Sequence, residues 1–366
     1  MSDKITPILM PKWGLSMKSG TLSAWHVEEG AEIVPGDEIM DIETDKIANA
    51  VEASDGGLLR RRVGQEGEIY PVRALLGLMA PESVPDSEID AYIDAYEMPE
   101  IEDDEDEGLV DQVVELGIGR IRYSERAGEG TPIVLIHGFG GDLDNWLFNM
   151  DALAESAPVY ALDLPGHGQS VKAVAEPGLK TLVAAVIEFL DHLDITKAHL
   201  VGHSLGGLIA GRIALDDSER VQSLALICSA GLGAEINLDY IDGFVAAASR
   251  RDLKPVLRHL FADEGLVTRS MVNDLLKFKR IDGVQAYLES LRDDVFGGGQ
   301  QSVHVADQLG QLGIPVQVIW GAEDAIIPQA HAVAIAGANV TILQDAGHMV
   351  MMERASEVND LITSQL

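Results

Sequence analysis

No lysine or arginine occurs between Arg73 and Arg120, and thirteen of the 26 residues from Glu82 to Glu107 are aspartate or glutamate. So acidic a stretch cannot lie inside a core, and its like charges repel one another. The apolar residues on either side must therefore be buried in two separate places. A length of 366 residues suits two or three such units. We read residues 1–80 as one domain, 81–108 as an acidic flexible linker and 109–366 as a second, larger domain. Within the linker, Ser87 to Glu97 allows a helical turn or more around Ile89, Tyr92, Ile93 and Tyr96. As a coil, a linker of this size spans roughly 30 Å, so the small domain can swing about its neighbour without detaching.

The charge balance narrows the function further. A formal net charge of −34 argues against binding nucleic acid or an anionic membrane. A single cysteine, Cys228, rules out an intrachain disulfide framework and fits a reducing cytoplasm. The start, Met1-Ser2-Asp3-Lys4, lacks the basic end and apolar stretch of a signal peptide. No apolar run is long enough to span a bilayer. A soluble, cytoplasmic protein is expected, and no metal centre is assigned.

Residues 4–80 read as a small all-β unit. Gly36-Asp37-Glu38-Ile39-Met40-Asp41-Ile42 alternates polar and apolar residues, and Ile47 to Ala53 alternates again. Glu43-Thr44-Asp45-Lys46 between them is a hairpin turn that presents one lysine. Glu29-Gly30-Ala31-Glu32-Ile33 is echoed by Glu66-Gly67-Glu68-Ile69, as in a unit built from two similar halves. From Met10-Pro11 the chain runs through Gly14-Leu15-Ser16-Met17, Gly20, Trp25, Gly30 and Gly36-Asp37 to Glu43-Thr44-Asp45-Lys46. This pattern resembles the lipoyl domain of 2-oxoacid dehydrogenase-type complexes, a β-sandwich in which the matching lysine carries lipoic acid. Biotin-carrier domains share that fold but usually have Met beside the lysine; here Asp45 and Ile47 flank Lys46. The resemblance therefore implies covalent lipoate on Lys46.

Beyond Leu109 the texture changes to unbroken apolar runs: Pro132 to Ile136, Ala198 to Val201, Ser223 to Ile227, Ile314 to Trp320 and Val340 to Leu343. Such runs suit strands buried on both faces. Helical patterns lie between them, as at Leu179 to Leu193 and Leu205 to Leu215, so a parallel, doubly wound α/β sheet is expected. Residues 231–300 interrupt that rhythm with mostly helical segments and read as a cap.

Gly202-His203-Ser204-Leu205-Gly206-Gly207 follows an apolar strand and opens a helix, the context of a G-x-S-x-G nucleophile elbow. Serine is a poor nucleophile unless a base takes its proton. His348, after the last strand, is the candidate base. Asp324, after the preceding strand, is the candidate carboxylate to orient it, in preference to Glu323. The order Ser…Asp…His resembles that of α/β-hydrolases. His137-Gly138-Phe139-Gly140-Gly141 is similar to the oxyanion loop of that family, which implies the backbone N–H of Phe139 and of Leu205 as the two donors. Asp163-Leu164-Pro165-Gly166-His167-Gly168-Gln169-Ser170 completes the likeness in a structural role.

A lipoyl domain joined to an α/β-hydrolase domain resembles the acyltransferase subunits of bacterial acetoin dehydrogenase complexes. That resemblance implies transfer of acetyl from the dihydrolipoyl arm on Lys46 to coenzyme A through an acyl-enzyme on Ser204. It also implies two partners, a thiamine-diphosphate-dependent dehydrogenase subunit and dihydrolipoyl dehydrogenase. Two departures from lipoyl acyltransferases in general stand out. The only His-x-x-x-Asp, His259 to Asp263, is followed by Glu264 rather than Gly, and no peripheral-subunit-binding domain is recognisable. Two alternatives remain at this level: a thioesterase or serine hydrolase fused to a lipoyl carrier, and a non-enzymatic carrier with a scaffolding domain. Residues 250–292 hold nine basic and six acidic side chains within this acidic chain. Arg250, Arg251, Lys254 and Arg258 share a helical face there and are candidates for the phosphates of coenzyme A.

Overall fold

The computed structural model describes residues 4–11, 19–44, 48–96, 98–99 and 111–366. The chain divides into two compact units, residues 1–108 and 109–366.

In the first unit, β1 (Thr6–Leu9), β2 (Ser19–Trp25), β3 (Glu32–Ile33), β4 (Glu38–Glu43), β5 (Ala48–Glu52), β6 (Gly57–Arg62), β7 (Ile69–Pro71) and β8 (Leu75–Met79) form two four-stranded antiparallel sheets. Their strand orders are β1-β8-β6-β3 and β5-β4-β2-β7. Leu22, Ile33, Ile39, Met40, Ile42, Leu59 and Leu76 fill the core with Trp25, whose Nε1–H donates to the Gly64 carbonyl at 3.1 Å. The echoed sequence proves to be an echoed structure. Gly30 and Gly67 take the left-handed turn conformation, with φ of 90° and 86°, which only glycine adopts without strain. Glu29 Oε1 accepts the Arg62 N–H at 2.8 Å, and Glu66 Oε1 accepts the Trp25 N–H at 2.9 Å. Each half thus ties its turn to a strand of the other half.

Strands β4 and β5 pair with Glu38 opposite Glu52 and Glu43 opposite Ala48. The hairpin expected from the alternation is present, and its connection begins at Thr44. Lys46, like Gly14 to Met17 and the acidic run from Glu102 to Glu107, lies outside the described residues.

The expectation of a linker beginning at residue 81 needs correction. Helix α1 (Asp86–Ala95) is part of the first unit, with Ile89 buried against Leu75, Leu78, Ala80 and Val84. Arg60 pairs with Asp86 at 2.7 Å, Arg61 lies 3.6 Å from both Asp86 and Asp90, and Tyr96 Oη donates to the Arg73 carbonyl at 2.6 Å. Arginines on the sheet offset acidic charge on the helix, and that offset lets a charged segment pack instead of remaining extended.

In the second unit the elements are β9 (Gln112–Leu116), β10 (Gly119–Arg126), β11 (Ile133–Ile136), α2 (Met150–Ala154), β12 (Val159–Leu162), α3 (Leu179–His192), β13 (Ala198–His203), α4 (Leu205–Asp216) and β14 (Val221–Ile227). Four cap helices follow: α5 (Leu238–Ala246), α6 (Arg250–Leu257), α7 (Arg269–Lys279) and α8 (Val284–Phe296). The chain then continues through α9 (Ala306–Leu309), β15 (Val316–Gly321), β16 (Asn339–Leu343), α10 (Val350–Glu353) and α11 (Ala355–Thr363). The eight-stranded sheet runs β16-β15-β14-β13-β11-β12-β10-β9, parallel from β16 to β12 with an antiparallel β10 and β9 at the far edge. Every residue of β11 and β13 is buried, because helices cover both faces of such a sheet. Among the described residues no helix is long and apolar enough to cross a membrane.

Candidate active site

Ser204 stands between β13 and α4 with φ 53° and ψ −117°, a backbone state that costs a non-glycine residue of order 1–3 kcal/mol. Its neighbours are shaped to hold it there. A Cβ on Gly202 would lie 2.3 Å from the Gly206 carbonyl oxygen, and one on Gly206 would lie 2.0 Å from that of Ile136. No larger residue fits at either place. The Ser204 N–H donates to the Ile227 carbonyl at 2.9 Å, while its own carbonyl accepts from Gly207 and Ala230 at 3.0 Å each. The serine is thereby locked at the carboxyl edge of the sheet.

His348 follows β16, and its Nδ1 lies 2.8 Å from Asp324 Oδ2. The Asp324 side chain is wholly buried, and its Oδ1 accepts the N–H groups of Ile326 at 2.8 Å and Ile327 at 3.0 Å. The carboxylate is oriented before it meets the imidazole, so Nδ1 carries the proton and Nε2 is left as the acceptor. Glu323, the rival carboxylate, is exposed. The candidate base is also held from the elbow side. His203 Nε2 lies 2.9 Å from the His348 carbonyl oxygen, and the two rings are 4.7 Å apart. Burial holds His203 well below the usual imidazole range, so it stays neutral and adds no charge beside the base. The sequence marks Ser204 but not its neighbour His203, for which adjacency to the elbow is the only signal.

The loop of residues 137–141 lies against the elbow. A Cβ on Gly138 would come within 3.0 Å of Ser204 Cβ. His137 accepts the Leu164 N–H on Nε2 at 3.0 Å, and its Nδ1 lies 2.8 Å from the Gly138 carbonyl. Only the Nδ1–H tautomer serves both bonds, and burial lowers the pKa to about 4, which keeps the ring neutral. The N–H groups of Phe139 and Leu205 make no hydrogen bond to another described residue. The Phe139 ring packs edge-on against Phe244 of α5 and Phe296 of α8, joining this loop to the cap. The segment from Asp163 to Ser170 is built around Asp163, which accepts from the N–H of Leu143 and of Gln169 and pairs with Arg122 at 3.2 Å.

Cys228 follows β14 and is fully buried. Burial and then the Asp324 charge push its thiol well above the ordinary range, so it stays protonated and is no second nucleophile. Its Sγ, an Asp324 oxygen and a His348 nitrogen lie within 4.8 Å of one another. The strand pattern alone does not place it beside Asp324 and His348.

Arg250, Arg251, Lys254 and Arg258 are exposed on α6 and at its carboxyl end. Arg250 Nε donates to Asn273 Oδ1 at 2.6 Å, and Arg258 lies 3.2 Å from Glu264. Arg251 and Lys254 form no ion pair among the described residues. The other basic side chains of this segment divide. Lys279 is buried and donates to the carbonyls of Phe244 and Val245, Lys277 pairs with Asp274, and Arg292 pairs with Asp242 and Asp293. His259 and Asp263 are both exposed, and Asp263 caps the Gly265 N–H.

Fold and site define the class: an α/β-hydrolase-fold enzyme with a nucleophile elbow, carried on one chain with a biotinyl/lipoyl-type β-domain. A family model described as "alpha/beta hydrolase fold" matches residues 131–355, and one described as "biotin-requiring enzyme" matches residues 6–73. The dihydrolipoyllysine-residue acetyltransferase component of the acetoin cleaving system of Cupriavidus necator is 50% identical over 368 aligned positions, covering 100% of this chain and 98% of the relative. Its counterpart from Pseudomonas putida is 49% identical, covering 98% and 97%. The chain belongs to this family of acetyltransferase components. Among solved structures, a meta-cleavage product hydrolase from Pseudomonas fluorescens superposes with a TM-score of 0.64 at 24% identity, over 69% of this chain and 96% of that one. It supports the fold of the larger unit.

Proposed function

We propose that this chain transfers an acetyl group from a dihydrolipoyl arm on Lys46 to coenzyme A, with Ser204 as nucleophile, His348 as base and Asp324 as its orienting carboxylate. The observation that carries the proposal is the Asp324–His348 bond beside the elbow, in a chain half-identical from end to end to acetyltransferase components. Strands β4 and β5, paired from Glu43 and Ala48, supply the hairpin that a lipoyl lysine requires.

The lipoyl group, when present, supplies the acetyl group as a thioester of its reduced dithiol. His348 Nε2 takes the proton from Ser204 Oγ as that oxygen adds to the thioester carbon. The N–H groups of Phe139 and Leu205 stabilise the negative carbonyl oxygen. His348 then gives the proton to the departing sulfur, leaving acetyl on Ser204. Coenzyme A thiol, deprotonated at the same nitrogen, takes the acetyl group, and the proton returns to Ser204 Oγ. Phe139 packs against Phe244 and Phe296 and so joins the loop of residues 137–141 to the cap; in this reading the cap keeps water from the acyl-enzyme at the second step. The partners in this reading are a thiamine-diphosphate-dependent dehydrogenase subunit and dihydrolipoyl dehydrogenase, in the cytoplasm. A partition assay tests it: an acetylated dihydrolipoamide is supplied with and without coenzyme A, and acetyl-CoA is measured against free acetate. Free acetate as the main product in the presence of coenzyme A would make the enzyme a thioesterase.

Lys46 itself gives an independent expected outcome. Protein from lipoate-competent cells should carry one lipoyl group by intact mass, and Lys46→Arg should carry none. A fully unmodified wild-type chain from such cells would remove the carrier half of the proposal.

Arg250, Arg251, Lys254 and Arg258, on α6 and just after it, are the candidate phosphate site, and one contact supports their placement. The Met349 N–H donates to the Leu260 carbonyl at 3.0 Å, so the carboxyl end of this cap segment rests on the residue after the base. Arg251→Glu with Lys254→Glu should raise the KM for coenzyme A about tenfold at low salt, since charge-assisted bonds contribute ~1.5–3 kcal/mol and salt screens exposed ones. Hydrolysis of a small neutral ester should be unaffected. An unchanged KM would return these side chains to the role of solvated surface.

A further inference from the structure

Glu353 closes the short helix α10, five residues after the base, and its carboxylate is turned inward. Oε2 accepts the Gly347 N–H at 2.7 Å, immediately before His348. Oε1 accepts the Ala262 N–H at 2.7 Å, with Asp263 N–H at 3.4 Å. Ala262 belongs to the cap segment that runs on from α6. One carboxylate therefore bonds the base-bearing loop on one side and the cap on the other. The junction is tight on independent grounds. A Cβ on Gly347 would lie 2.8 Å from the Ala262 nitrogen and 2.9 Å from the Leu260 oxygen, so only glycine lets the two backbones approach this closely. Burial pushes the Glu353 carboxyl up from its ordinary range, against the pull of its backbone donors and of Arg354. A group that costs free energy to bury is retained here with both oxygens engaged.

We infer that Glu353 is a positioning residue for the acyl transfer: it holds the backbone of the catalytic histidine in register with the cap, so that His348 meets Ser204 only when the cap segment of residues 260–263 is seated. The inference rests on the triad proposed above. Glu353 is not in the triad and takes no proton. Its effect passes through Gly347 to the imidazole. Other bonds also fix this loop, among them those from Asp324 to the ring, from His203 to the His348 carbonyl, from the Met349 N–H to Leu260 and from the Glu323 N–H to Ala346. Glu353 bonds base loop and cap through a single side chain.

The test compares Glu353→Gln with wild type and with Ser204→Ala in the full-length chain. Glutamine has the same shape, but its amide NH₂ faces an N–H donor on one of the two sides, so one bond must fail. Reactive serines are first counted with a fluorophosphonate carried to completion, and kcat for a small neutral ester is expressed per titrated serine. The expected result is a drop of about 10- to 100-fold in that kcat, the scale of an ångström's misplacement, with the ester KM within about twofold of wild type. A purely structural role would reduce the number of titratable serines and leave kcat per serine unchanged, and that result would overturn the inference. Should the glutamine variant not accumulate, Glu353→Asp keeps the charge but is one methylene too short to reach both sides, and the same split is expected. Activity retained in Ser204→Ala would instead refute the triad. An inactive Ser204→Ala beside a normal Glu353→Gln refutes the role of Glu353 alone.

Discussion

Replacing Ser204 with alanine is expected to lower acetyl transfer about 10⁶-fold, the loss typical of removing the nucleophile from a triad that acts as a unit. Alanine cannot bond to the acyl group, and the base then has no proton to take. The elbow should survive the change. Its strained backbone is held by the Ser204 N–H to Ile227, by the Gly207 and Ala230 N–H groups to the Ser204 carbonyl, and by the absence of side chains at Gly202 and Gly206. None of these uses the hydroxyl. The variant should therefore fold with an unchanged melting temperature, and Lys46 should still be lipoylated and reductively acetylated. Near-normal acetyl-CoA formation by this variant would mean that coenzyme A attacks the arm directly, and the covalent mechanism would be lost.

Asp324→Asn should cost about 10⁴-fold in kcat near neutral pH, the scale seen when a triad carboxylate is replaced by its amide. The reason lies in the bonds already described. Asp324 Oδ1 receives two N–H donors, from Ile326 and Ile327, and Oδ2 faces His348 Nδ1. Asparagine has one oxygen. If that oxygen stays with the two N–H donors, the NH₂ group faces Nδ1 and requires it to accept. The proton then moves to Nε2, the atom that must take the serine's proton. If the amide turns over, two buried N–H groups lose their acceptor, at ~1–3 kcal/mol each. Either arrangement disables the base. Steady-state kinetics with the small ester and with coenzyme A should fall together, because both steps use the same imidazole. A loss smaller than tenfold would show that Asp324 does not control the tautomer.

These outcomes follow from residues that could be found by reading the chain. Ser204 was legible because a glycine-flanked serine between an apolar strand and a helix has few other physical uses. Asp324 and His348 were legible because a parallel sheet brings its strand ends to one edge, so residues just after two neighbouring strands, β15 and β16, must lie near each other. The pairing of β4 with β5 was legible from alternation alone, since a period of two assigns faces without knowledge of partners.

Other features depended on chain segments far apart in sequence. The segment from Asp86 to Ala95 has the composition of a solvated linker, yet it packs as a helix because Arg60 and Arg61, some 25 residues earlier, meet its aspartates and Ile89 finds an apolar cluster. His203 is one residue from the nucleophile, but its hydrogen bond is to the carbonyl of His348, 145 positions away. Glu353 reads as an ordinary helix-end carboxylate until the cap brings Ala262 to it, across 91 positions. The amino-acid sequence by itself determined the two-unit organisation, the sheet that presents the candidate triad and the elbow that carries Ser204, because periodicity and the glycine requirement of a tight turn are local properties. Tertiary structure alone decided which buried polar groups hold the base and which charged segment folds, because an ion pair or a buried hydrogen bond stabilises only when its partner arrives from elsewhere in the chain.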